Sequence, residues 1–207
     1  MPRFRTSFRA WLLVGLLLGL GLTSRVWAQA VPDPVIPHGV PQVVDDMHDY
    51  FAKEMRGGIV LVAMGAPSVA LGGGLLAQDR PLLRGFAYPM IIVGALELGG
   101  GILFAARAPK QVRDLENGFA KDPLVTQKQE LQRMRRVNRQ FSLLEVVEVT
   151  LHLGGIGMSA LGGNLRNETL SGVGIGLSVQ SMGLLLFDLL AAQRALRFTE
   201  SLRKMGS

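Results

Sequence analysis

The sequence predicts an all-α membrane protein: a polytopic bundle of four transmembrane helices, set as two antiparallel hairpins joined by a basic amphipathic helical connector. Three observations predict it. Four apolar runs have the length that a bilayer requires. Glycine contributes 26 of 207 residues in a chain that is 48% hydrophobic, a usage foreign to water-soluble domains but common in membrane helices. The runs also lack the period-two alternation of barrel strands, so helices must satisfy the backbone in lipid.

The chain opens with Arg3, Arg5 and Arg9, an apolar centre at Trp11–Leu22, and a small-residue end at Val26-Trp27-Ala28 or Ala28-Gln29-Ala30. That layout reads residues 1–30 as a secretory signal peptide, its centre too short to span comfortably. Residues 31–56 read as a leader. Its first part, Val31–Pro37, holds three prolines and is extended. Behind Pro41, Val43, Val44, Met47, Phe51 and Met55 form an apolar stripe, the pattern of an amphipathic helix lying in the membrane interface. Asp45, His48 and Asp49 on its polar side are weak candidates for a divalent cation, and a solvated polar face accounts for the same residues.

The transmembrane domain is expected over 57–193. Span one (57–78) is 22 uncharged residues between Arg56 and Asp79, and span two (85–106) is interrupted only by Glu97. Span three (141–163) contains Glu145, Glu148 and His152, and span four (169–193) contains Asp188. Short connections at 78–85 and 163–168 make hairpins of spans one and two and of spans three and four. The connector, 108–140, reads as two helices. Val112, Leu115 and Phe119 recur at helical spacing, and Asp122-Pro123 then supplies a cap and a first-turn proline for one long helix to about residue 162. Its run Arg133, Arg135, Arg136 and Arg139 is assigned to acidic lipid headgroups, not to nucleic acid, and residues 194–207 form a basic tail.

Each span carries a stripe of small residues: Gly65, Ser68 and Gly72; Gly94 and Gly101; Gly155 and Ser159; Gly174 and Ser181. Lipid offers no hydrophobic drive between helices, so such stripes are where backbones approach. They are also candidate faces for homo- or hetero-oligomers. The acids share these faces and are expected to point into the bundle, because a mid-bilayer charge costs several kcal/mol.

Glu97 and His152 each fall about eleven residues into their spans, which suggests a shared midplane position. With Glu145, Glu148 and Asp188 they are the candidate residues of a proton or ion relay, since histidine titrates near neutrality. Simple interhelical hydrogen bonding is the preferred explanation of Glu97 and His152, and Glu145 and Asp188, close to span ends, read as interfacial partners of Arg139 or Arg194. An enzymatic reading would require Glu97, Glu148 and His152 to converge within about 4 Å. Zero cysteine removes disulfides, zinc–thiolate sites, iron–sulfur clusters and thiol catalysis. Gly155-Ile-Gly157-Met-Ser-Ala160 fits a dinucleotide pattern but sits inside a span with no strand before it, so no cofactor is expected.

The formal charge of +6 divides unevenly. Four of those charges lie in residues 1–30. Export of the N-terminus would put the leader with Lys53 and Arg56, the connector and the tail outside the cell, with 14 Lys/Arg there against three in the short turns. The positive-inside rule predicts the reverse. The expected location is a bacterial inner membrane. The expected role is a non-enzymatic structural or interaction component, with a proton- or cation-coupled conduit centred on Glu97 and His152 as the alternative.

Overall fold

A computed structural model describes residues 39–205, so the expected signal peptide at 1–30 and the extended segment at 31–37 lie outside the described residues. Four helices account for nearly all of it: α1 (Val40–Leu76), α2 (Pro81–Lys121), α3 (Pro123–Asn164) and α4 (Glu168–Lys204). Each is long and apolar enough to cross a membrane, consistent with an integral membrane protein.

At 37 to 42 residues, each helix is about 55–63 Å long, roughly twice a hydrocarbon core. Each therefore has an apolar half and a half that continues beyond it. This changes two expectations. The leader stripe is not a separate interfacial helix, because α1 runs unbroken from Val40 into span one. The first half of the connector is likewise the end of α2, which continues through Pro109 to Lys121. Its buried stripe of Ala108 and Phe119, with Val112 and Leu115 packed beside it, outweighs the one hydrogen bond that Pro109 removes. The chain then turns within one residue. Asp122 accepts from Val125 N at 3.0 Å and caps α3, and Pro123 takes a first-turn position that needs no N–H. Asn167 caps α4 the same way, accepting from Leu170 N at 3.0 Å.

The extended halves pack on one another around a core of the kind found in water-soluble bundles. Met47 and Phe51 of α1, Phe119 of α2, Met134 of α3, and Phe198 and Leu202 of α4 are all buried in it. Tyr50 stacks on Phe198 with ring centroids 5.1 Å apart. We call this region the head. An apolar stripe looks alike whether it faces lipid or other helices. Here the other helices supply it.

In the apolar halves, packing follows glycine. On α1 and α2, Gly58 meets Gly101, Gly65 meets Gly94, and Gly72 meets Ala87 and Ile91, so partner numbers fall on α2 as they rise on α1. On α3 and α4, Gly155 meets Gly174 and Ser178, and Gly162 meets Ser171. The central contact, α2 on α4, runs the other way: Gly172 meets Leu82 and Gly176 meets Phe86. Residues 172 and 176 share one face of α4, while Gly174 lies about 200° away, against α3. Alternate glycines thus let α4 approach two neighbours at once. Gly85 against Thr169 brings both short turns to one end, and Gly39 beside Met205 brings the described termini to the other.

Candidate functional site

Three polar features interrupt the apolar halves. Glu97 projects from α2 into the seam with α1 and is 3% exposed. A methyl group on Gly65 would lie 2.9 Å from its Cβ, so the Gly65 backbone leaves the room in which Glu97 sits. Both carboxyl oxygens are buried and have no hydrogen-bond partner. His152 of α3 is half-buried, and its Nδ1 lies 3.0 Å from both the carbonyl and the hydroxyl oxygen of Ser178 on α4. As N–H it donates to the carbonyl; in the other tautomer it accepts from the hydroxyl. The third feature is a carboxyl pair, Glu148 of α3 and Asp188 of α4, in side-chain hydrogen-bonding contact. Glu148 Oε2 remains buried without a partner.

The two expected relay residues lie in different seams: Glu97 stands between α1 and α2 against Gly65, and His152 between α3 and α4 against Ser178. Among the described residues no three His, Asp or Glu side chains gather as a metal-binding group, so Glu97, Glu148 and His152 do not converge.

The stripe residues lie where helices meet. Gly65, Gly72, Gly94 and Gly101 line the α1–α2 seam, with Ser68 Cβ against Gly94. Gly155, Ser159 and Gly174 line the α3–α4 seam. Ser181 is buried, its hydroxyl donating to Leu177 O at 2.7 Å. Sequence reasoning missed the α2–α4 contact at Gly85, Gly172 and Gly176. The alternation Gly172-Val-Gly174-Ile-Gly176 was its signal, since glycine at every second position serves two helix faces.

The head holds a polar cluster. Arg133 donates from Nε to Glu130 Oε2 at 2.8 Å and from Nη2 to Glu130 Oε1 at 2.5 Å, and its guanidinium lies 5.4 Å from the centre of the Phe51 ring. Burial works against that charge, but the bonds to Glu130 outweigh it and hold Arg133 protonated. Glu54 and Tyr50 adjoin the cluster, and burial pushes both acids above their ordinary ranges. Arg194 donates to Lys53 O at 2.8 Å, stitching α4 to α1. Arg133 is thus turned into the head, while Arg135, Arg136 and Arg139 are exposed. Of the weak metal candidates, His48 pairs with Glu116 at 3.0 Å and Asp49 with Lys53 at 2.5 Å, while Asp45 lies on the same helix. Comparison of the chain with protein-family models, curated proteins and solved structures finds no match in any of the three.

Proposed function

We propose that the chain is a non-enzymatic structural or interaction component of a membrane assembly, built as two antiparallel hairpins with a helical head on one side of a bacterial inner membrane. Helical spans, not barrel strands, support that location. The observation that carries the role is the division of glycines into two sets. One set fills the seams. The other, Gly73, Gly74, Gly99, Gly100, Gly154, Gly157 and Gly163, faces open space, where an added Cβ would meet nothing within 4 Å. These outer glycines do nothing for the internal packing, yet they permit close approach by another helix. They lie among exposed apolar side chains such as Leu96, Leu153, Ile156 and Leu161.

The test separates the two sets. Gly99→Leu, Gly154→Leu and Gly157→Leu should weaken association in bilayers, read by single-molecule photobleaching or cross-linking, while helix content stays unchanged. Wild-type association equal to that of all three variants sinks the proposal. Substituting Gly94, Gly101, Gly155 or Gly174 instead would disturb the fold itself.

A second reading, a proton- or cation-coupled conduit, is favoured by the two unpartnered oxygens of Glu97. Glu97→Gln should then reduce dye-reported proton leak in liposomes. Equal leak in both proteins rejects it.

A further inference from the structure

Where the spans meet the head, α3 and α4 part around a cavity of about 230 Å³. Asn138, Phe141, Ser142 and Glu145 form its α3 wall, at the i, i+3, i+4, i+7 spacing of one helix face, and Ala192 and Leu196 stand on the α4 side. Its depth is bracketed by two interhelical bonds. On the head side Asn138 Nδ2 donates to Thr199 Oγ1 at 3.0 Å, and on the span side Glu148 meets Asp188.

Gln193 of α4 also lines the cavity and is exposed, and the buried polar atoms left without a partner here are acceptors. With its amide nitrogen committed to Thr199, Asn138 keeps a buried Oδ1 that has no donor. The Ser142 hydroxyl is turned toward the backbone, donating to Asn138 O at 3.3 Å. Glu145 forms no ion pair among the described residues. Behind it, one turn along α3, Glu148 is 5% exposed and its Oε2 also lacks a donor. No Lys or Arg lines the cavity. A group carrying several N–H donors and a positive charge is the complement of such a wall.

We propose that this cavity binds the primary ammonium headgroup of an ethanolamine-type phospholipid, Glu145 supplying the opposing charge and Asn138 Oδ1 accepting one N–H. The occupant follows from charge and depth together. The ammonium satisfies acceptors that the fold leaves unsatisfied, which a quaternary ammonium without N–H bonds does not. Arg135 and Arg139, exposed within about a turn of Asn138 on α3, are available to a lipid phosphate, and Leu143, Leu144 and Leu189 are exposed apolar residues of the same two helices. A bilayer delivers such a headgroup to this depth at high local concentration. The neighbouring arginines thereby gain a partner more specific than acidic lipid in general.

The test uses full-length protein equilibrated with bilayers of equal ethanolamine, choline and glycerol phospholipid, with retained lipid counted by native mass spectrometry. Wild type should hold ethanolamine lipid over choline lipid by about tenfold, the scale of one charge-assisted hydrogen bond. Glu145→Gln should lose the preference. Ala192→Phe, which fills the cavity and leaves every polar group in place, should lose it too. Free ethanolamine at millimolar concentration should not displace the lipid. Equal retention of ethanolamine and choline lipids, a preference for the glycerol lipid, an unchanged preference in either folded variant, or displacement by free ethanolamine would each overturn the proposal.

Discussion

Gly65 and Gly94 face one another across the α1–α2 seam so closely that a methyl group on Gly94 would sit 2.9 Å from the Gly65 carbonyl oxygen, and one on Gly65 would strike the Gly94 carbonyl in return. Real side chains do not tolerate such contacts with backbone, so the helices would have to separate. Separation would also open the seam around Glu97, which lies against the same turn of α1.

Gly94→Val should therefore destabilise the protein by about 1–3 kcal/mol or more, the range for forced overpacking. Gly100→Val, six residues along the same helix, faces open space and should change stability by less than about 0.5 kcal/mol. Thermal unfolding in detergent compares the two. Equal losses would mean that the seam is not close-packed.

The head makes an independent prediction, because its core is of the water-soluble kind. Met134 is fully buried among side chains of the other helices. Met134→Ala should cost about 2–5 kcal/mol and expose the head to protease. Leu124→Ala, at a position 57% exposed, should be close to neutral. A head that simply lies in headgroups would show no such contrast.

Glu54 gives the head a pH dependence. Burial raises its carboxyl above the ordinary value near 4.5, with Arg133 and Arg194 opposing the shift only in part. The folded chain thus holds this proton more tightly than the unfolded chain does. The resulting stability is complete below about pH 4.5 and is lost as pH rises through the higher folded value. Glu54→Gln should flatten that decline, matching wild type in acid and exceeding it at neutral pH. Tyr50→Phe should move the decline to higher pH, since the Tyr50 hydrogen bond holds the Glu54 carboxyl down. Parallel melting curves for wild type and Glu54→Gln from pH 4 to pH 8 would contradict the assignment.

The four apolar spans and the placement of small residues were legible in the sequence, because span length and glycine spacing are local properties; that the leader and connector helices are continuous with those spans was not. The start of α3 was legible for the same reason, in the pair Asp122-Pro123. What could not be read is what each stripe faces. Val43, Met47 and Phe51 look identical against a membrane surface or against Met134 and Phe198. Arg133 looks like its neighbours Arg135 and Arg136 until Glu130 and Phe51 are seen beside it. The choice of seam was hidden as well: nothing in either span tells that Glu97 stands against α1 while His152 stands against α4. The pairing of Glu148 with Asp188, 40 residues apart, has no signature in either segment.

Sidedness is the most direct consequence of the register. Gly85 against Thr169 places the two short turns together, and Gly39 beside Met205 gathers the other ends in the head. The chain contains no cysteine, so single-cysteine variants report without any background removal. Gln78→Cys and Asn164→Cys, both exposed beside the short turns, should react with an impermeant maleimide from one side of the membrane. Lys110→Cys and Glu200→Cys, exposed on the head, should react only from the other. Labelling of Gln78→Cys and Lys110→Cys from the same side would break the four-span reading, since α2 would then not cross. In intact cells the same set decides between the two conflicting signals of the sequence. Reaction at the head from outside favours export of the N-terminus. Reaction at the turns favours the positive-inside rule, with the basic head retained against acidic lipid on the cytoplasmic face.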